Sequence, residues 1–126
     1  MIVLTLDNLI NSINILQRIS SEPLKAKTAY VVAKLIKAAD AEMTNFNEIR
    51  FNLIDKYGEK DENGEFKTDG NNVILKKETV DDFNKELREL LNTSLTFNVN
   101  KLNLDDLESI NFTPAEMIQL EPFIET

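Results

Sequence analysis

The chain opens on a short apolar, β-branched run, Met1-Ile-Val-Leu4, followed by Thr5 and Asp7, either of which can cap a helix. A strand that turns into a helix is therefore expected. From Leu9 onward Leu9, Ile10, Ile13, Leu16 and Ile19 recur at helical spacing, and this helix should end near Ser20-Ser21, before Pro23. A second helix has the clearest pattern. Ser20 and Ser21 are candidate caps, Glu22 suits the positive end of the helix dipole, and Pro23 suits a first helical turn. Ala29, Val32, Ile36, Ala39, Met43, Phe46, Arg50, Leu53 and Tyr57 then follow at alternating spacings of three and four, a heptad seam that Gly58 terminates.

A helix from Pro23 to Tyr57 is about 50 Å long at a rise of 1.5 Å per residue, more than a domain of this size covers along its full length. Part of the seam is expected to pack on another element or a second copy. Alanines crowd its first half and permit close helix approach, whereas Phe46, Phe51, Leu53 and Tyr57 make the second half bulky. The first helix folding back on the second as an αα-hairpin is the simplest arrangement.

Beyond Gly58 the chain is polar and carries two turn signals, Asn63-Gly64 and Asp69-Gly70, ahead of a strand at Asn72-Val-Ile-Leu-Lys76, which predicts a small hairpin. Thr79 and Asp82 resemble a capping box for a third helix whose apolar face is Val80, Phe83, Leu87, Leu90 and Leu91, ending near Asn92. Residues Ser94 to Val99 alternate with period two, as a half-buried strand does, and this strand could pair with Met1–Leu4. A helical turn is expected over Asn103–Glu108. Thr113-Pro-Ala-Glu116 combines a cap, a proline at the first helical position and a box acid, so a last short helix should run to about Leu120, before Pro122. The fold class expected is α+β, mainly α: a long helical hairpin with a small antiparallel sheet or β-hairpin and a short C-terminal helix, forming a single domain over residues 1–126.

Composition narrows the chemistry. Apolar residues make up 42% and charged residues 29% of the 126, which is the balance of a folded globular chain. There is no cysteine and no histidine, so disulfides, thiol nucleophiles and thiolate or imidazole metal sites are excluded, together with the one side chain that ordinarily titrates near neutrality. Catalysis by Asp, Glu, Lys, Ser or Tyr would need a strongly shifted pKa or a metal. The chain reads as non-enzymatic, with no cofactor. Apolar runs are only a few residues long, far short of the roughly 20 that span a bilayer, so no membrane segment is expected. The beginning has no basic, apolar leader, which implies residence in the cytoplasm where the chain is made.

Charge is uneven. Residues 1–57 hold seven Lys or Arg and six Asp or Glu, and residues 58–126 hold seven and sixteen, net +1 and −9 within a total of −8. That balance makes direct nucleic-acid binding unfavourable and suits a basic protein partner. The acidic segment fails as a calcium loop. With Gly64 as its sixth residue it would begin at Glu59 rather than Asp, and its twelfth position is Gly70, where a bidentate Glu is needed. No glycine-rich phosphate loop is present, since the three glycines are six apart and sit in turns. The pairs Asp81-Asp82 and Asp105-Asp106 stand at helix starts, where acids favour the dipole. Arg50 interrupts the seam and is expected at its edge with its charge in water, near Glu48 and Asp55.

The ending Leu53-Ile-Asp-Lys-Tyr-Gly58 of the long helix, the segment Glu59-Lys-Asp-Glu-Asn-Gly64, the stretches Phe83-Asn-Lys-Glu-Leu87 and Leu90-Leu-Asn92, and the ending with Thr113-Pro-Ala-Glu116 and Leu120-Glu-Pro-Phe-Ile124 resemble a family of small uncharacterised proteins of phages and prophages, mostly of Gram-positive bacteria. The resemblance covers nearly the whole chain and brings no catalytic residue with it. It implies action during infection or lysogeny, in the bacterial host cytoplasm or within a virion. The first reading is an interaction protein that inhibits or regulates a host system through protein–protein contacts. The alternative is a virion structural or assembly accessory protein, such as a tail or head component or chaperone. The partners expected are a second copy, in a dimer or higher homo-oligomer, and a host or phage protein. The residues expected to mediate association are Val32, Ile36, Met43, Phe46, Arg50 and Leu53.

Overall fold

A computed structural model describes residues 1–125. The expectation is of one domain, whereas the chain gathers into two compact units, one made of residues 1–43 with the segment from Asn92 onward, the other of residues 44–91. The fold is α+β and mainly α, as its hydrophobic periodicities predict.

In the first unit, β1 (Ile2–Thr5) pairs antiparallel with β4 (Ser94–Phe97), in the register Ile2 to Phe97 and Leu4 to Leu95. The pairing of these two segments follows from their matched alternation: Ile2, Leu4 and Phe97 are buried, whereas Val3 is exposed. α1 (Leu6–Ser20) starts at Thr5, whose hydroxyl accepts the Asn8 amide at 3.2 Å. Its buried face is Leu6, Leu9, Ser12, Ile15, Leu16 and Ile19; Ile10 and Ile13 are only half-buried. α2 spans Ala26–Tyr57 without a break, and its first part buries Val32, Leu35 and Ala39.

The start of α2 is thus three residues later than Pro23. Ser20 belongs to α1 and Ser21 closes it, its amide bonding the Arg18 carbonyl at 3.1 Å, so neither serine is left to cap the next helix.

α1 also packs against α4 (Pro114–Leu120), a contact the periodicity did not foretell. Ser12, 1% exposed, stands at this contact with Oγ 2.5 Å from the Asn8 carbonyl and 2.8 Å from the Gln119 carbonyl, so that its single proton is shared between two acceptors. A small side chain within the apolar stripe lets the two helices approach, and it satisfies a carbonyl in the last turn of α4. The expected capping box at Thr113 is present: its hydroxyl accepts the Glu116 amide and the Glu116 carboxylate accepts the Thr113 amide at 2.9 Å. A 3-10 turn at Leu104–Leu107 stands where a helical turn is expected. The parallel pairing of β5 (Leu102–Asn103) with β6 (Ile124–Glu125) has no counterpart in the sequence reading, because two-residue strands leave no periodicity to detect.

Arg18 links these parts. Its guanidinium donates to the Glu116 carboxylate and to the Asn111 carbonyl and lies 5.4 Å from the centre of the Phe112 ring. The Arg18 bond, and after it the Thr113 amide, hold the Glu116 carboxyl below its ordinary value of 4.5. A depressed carboxyl contributes stability above its unfolded pKa and loses it as pH falls through the folded one. Glu116→Gln should therefore lower stability at neutral pH, and the gap to the parent should narrow below about pH 4.5. Urea titrations at a series of pH values check this; a gap independent of pH would contradict it.

In the second unit, β2 (Thr68–Asp69) and β3 (Asn72–Val73) form the expected hairpin, with Gly70 at φ +64°, a value a side chain resists. Gly64 turns the chain likewise at φ +79°, where Asp61 Oδ1 accepts the amides of Asn63 at 2.9 Å and Glu65 at 3.1 Å. The predicted strand over Asn72–Lys76 is shorter than expected: Leu75 makes only a bridge to Gly58. Gly58 is needed for room as well as for ending α2, since a Cβ there would lie 2.5 Å from the Ile54 carbonyl oxygen and 2.9 Å from the Phe66 ring.

α3 (Val80–Leu91) follows a 3-10 turn at Lys77–Thr79. The capping box expected at Thr79 is therefore absent: the turn carries Thr79 inward, and its buried hydroxyl has no hydrogen-bond partner. An orphaned buried hydroxyl costs about 1–3 kcal/mol, so Thr79→Val, of the same shape, should leave stability unchanged or raise it by about 1 kcal/mol. Urea denaturation measures this, and a clear loss would show that the hydroxyl is engaged.

Candidate association surface

The predicted association residues are distributed along α2 unequally. Val32 and Phe46 are turned into the chain's own core, 3% and 9% exposed, so little of their surface is open to a partner. Ile36, Met43 and Leu53 are half-buried, and Arg50 is exposed, as a side chain at the edge of the stripe would be. The inward line at the start of the helix runs through Thr28, Val32, Leu35 and Ala39. Leu35, fully buried, is the residue the seam missed in favour of Ile36; its spacing of three from Val32 and four from Ala39 carried the signal.

From Ile49 to Leu53 the same inward side stays open, with Ile49 44% exposed beside the half-buried Leu53. On nearly the opposite face of the helix, two residues from each of them, Phe51, 62% exposed, stands by a shallow depression with Thr44, Asn47, Glu48 and Asn52.

α3 has the same character. Its apolar positions Val80, Phe83, Leu87, Leu90 and Leu91 fall on one face at helical spacing, yet each is only half-buried and no α3 residue is buried. Among the described residues of the 44–91 unit, Phe46 and Tyr57 are the only buried apolar side chains; the rest of the core belongs to the other unit.

A polar cluster ties the end of α2 to α3. The Tyr57 ring meets Phe83 edge-on at 6.0 Å. Lys56 Nζ is 3.5 Å from Glu86 Oε2 and 4.9 Å from the centre of the Tyr57 ring. The influence of Glu86 raises the Tyr57 phenol above its usual value, and that of Tyr57 lowers the Glu86 carboxyl. Lys56 is raised, first by the neighbouring Tyr57 phenol and then by the charge of Glu86. Asp55 pairs with Lys60 at 3.0 Å. This cluster positions the two helices and leaves their apolar faces beside it half open.

Among the described residues no group of three or more acidic side chains is placed to hold a metal ion, and no helix is long and apolar enough to cross a membrane. Comparison of the chain with protein-family models, with curated proteins and with solved structures found no match, so the open apolar faces of α2 and α3 are the main guide to what it does.

Proposed function

We propose that this chain is a non-enzymatic interaction protein that self-associates through its 44–91 unit, using the open Ile49–Leu53 stretch of α2 and the apolar face of α3. One observation carries the reading: α3 is strongly amphipathic and buries no residue. Apolar area left in water forgoes roughly 25 cal/mol per Å2, and a helix with such a face gains that energy only when something covers it. A second copy brings the same face and closes the pair by two-fold symmetry.

Light scattering on the full chain across micromolar concentrations tests this. A mass of twice 14.4 kDa or more is expected, and a constant 14.4 kDa would overturn the proposal.

On the family resemblance, the association serves a phage-encoded protein that inhibits or regulates a host system in the bacterial cytoplasm, with a host or phage protein as further partner. The acidic half, net −9, suits a basic partner surface. Mass spectrometry of purified virions separates this from a structural or assembly role: abundant recovery favours the virion, whereas absence with early expression favours the host-directed role.

A further inference from the structure

The first unit contains a cleft of about 670 Å3 where α2 begins, lined by Lys25, Lys27, Thr28 and Lys101 together with Asp106 and Glu125. Three features set it apart from the rest of an acidic surface. First, two of its lysines lie at the positive end of a 32-residue helix whose first turn holds no acid. Like charge placed there is unfavourable, and an anion would offset it. The hydrogen-bond ladder of α2 starts only with the Ala29 amide, bonded to the Lys25 carbonyl at 2.8 Å, which leaves the preceding amides of the first turn directed outward as donors.

Second, Thr28 is a polar residue only 8% exposed that lines this cleft and whose side chain makes no hydrogen bond among the described residues. The hydroxyl of this largely buried residue is not sealed off, so it can donate to or accept from a ligand. Third, none of Lys25, Lys27 or Lys101 pairs with a carboxylate among the described residues, although Asp106 and Glu125 line the same cleft.

We propose that this cleft binds a small phosphorylated ligand, whose phosphate would be taken by the first amides of α2, the Thr28 hydroxyl and the ammonium groups of Lys25, Lys27 and Lys101. Helix-start amides combined with lysines form a phosphate cradle without any glycine-rich motif. The overall charge of −8 does not forbid this, because charges further than a Debye length of about 8 Å are screened at physiological salt. The two acids limit how much negative charge the cleft accepts and favour one phosphate group or a short chain of them over a polymer backbone.

Pyrophosphate and adenosine monophosphate, titrated separately into the full-length 15N-labelled protein, test the proposal. Saturable shifts of the Ala26, Lys27 and Thr28 amide resonances are expected, at concentrations where sodium chloride of equal ionic strength produces none. Tighter binding of adenosine monophosphate would identify a nucleotide-like ligand; tighter binding of pyrophosphate would identify the phosphate chain as what is read. The double variant Lys27→Gln/Lys101→Gln should weaken binding about tenfold or more with its spectrum otherwise preserved, and Thr28→Val should weaken it by a smaller factor. Failure of both probes to saturate those resonances, or equal binding by the double variant, would overturn the proposal. Neither readout depends on self-association through the 44–91 unit.

Discussion

Truncating Phe123 to alanine is expected to destabilise the folded chain by about 3–5 kcal/mol, because a fully buried phenyl ring loses both its transfer energy and the packing around the cavity it leaves. For a chain of this size that is a fall in Tm of roughly 10–20 °C. Phe123 is 0% exposed, Leu120 before it is equally buried, and Ile124 after it is 3% exposed and paired to Leu102. The last described segment is part of the core of the first unit. Ile118→Ala is the control: at 71% exposure it should change stability by no more than about 0.5 kcal/mol. Paired urea titrations of the two variants give the comparison. Equal, small effects would mean that the C-terminal segment does not complete the core.

Ile49→Asp is expected to dissociate the self-associated protein while leaving each copy folded. At 44% exposure Ile49 does little for the protomer's own core, so the far-ultraviolet spectrum and melting cooperativity should be preserved. Covering an isoleucine contributes about 1.5–3 kcal/mol, and two-fold symmetry counts the loss twice, so the dissociation constant should rise roughly 10²- to 10⁴-fold. Phe51→Asp removes an aromatic ring that is more exposed but stands on nearly the opposite face of the helix, and should have a smaller effect if the Ile49–Leu53 side and α3 form the contact. A reversed order would move the interface to the other face of α2. If both variants keep the parent's mass, the association does not use this part of the helix at all.

These two variants bear on different kinds of information in the chain. Phe123 belongs to a segment whose local signals, Thr113-Pro-Ala-Glu116 and Pro122, mark a helix and its end without saying what the helix lies against. Its contact with α1 depends on Ser12, a polar residue in an apolar stripe, and on Arg18 reaching Asn111 and Glu116. Both link residues about a hundred positions apart, where local periodicity carries no information. Ile49 and Arg50, in contrast, stand in a legible pattern. Whether that pattern would be covered by the chain or left open was not legible, because a heptad seam has the same spacing in either case.

Thr79 shows how a local rule can yield to its surroundings. Thr-x-x-Asp reads as a helix start, but the chain coming off the hairpin enters α3 through a 3-10 turn that buries the hydroxyl. Ser20 and Ser21 make the same point: both are used at the end of α1, and α2 starts only at Ala26.

What the sequence determined by itself is the set of elements whose cause is local. Apolar spacing of three and four made α1, α2 and α3 helical, glycines at positive φ made the turns at Gly64 and Gly70, the Thr113 box started α4, and matched alternation even identified β1 and β4 as partners. Only the tertiary structure decided which apolar residues are covered. It took Val32, Leu35 and Phe46 inward, left Ile49 and the face of α3 half open, and gathered Lys25, Lys27, Thr28 and Lys101 around one cleft. The physical reason is that helix, turn and cap energies arise within a few residues, whereas burial is a property of surfaces brought together from distant parts of the chain.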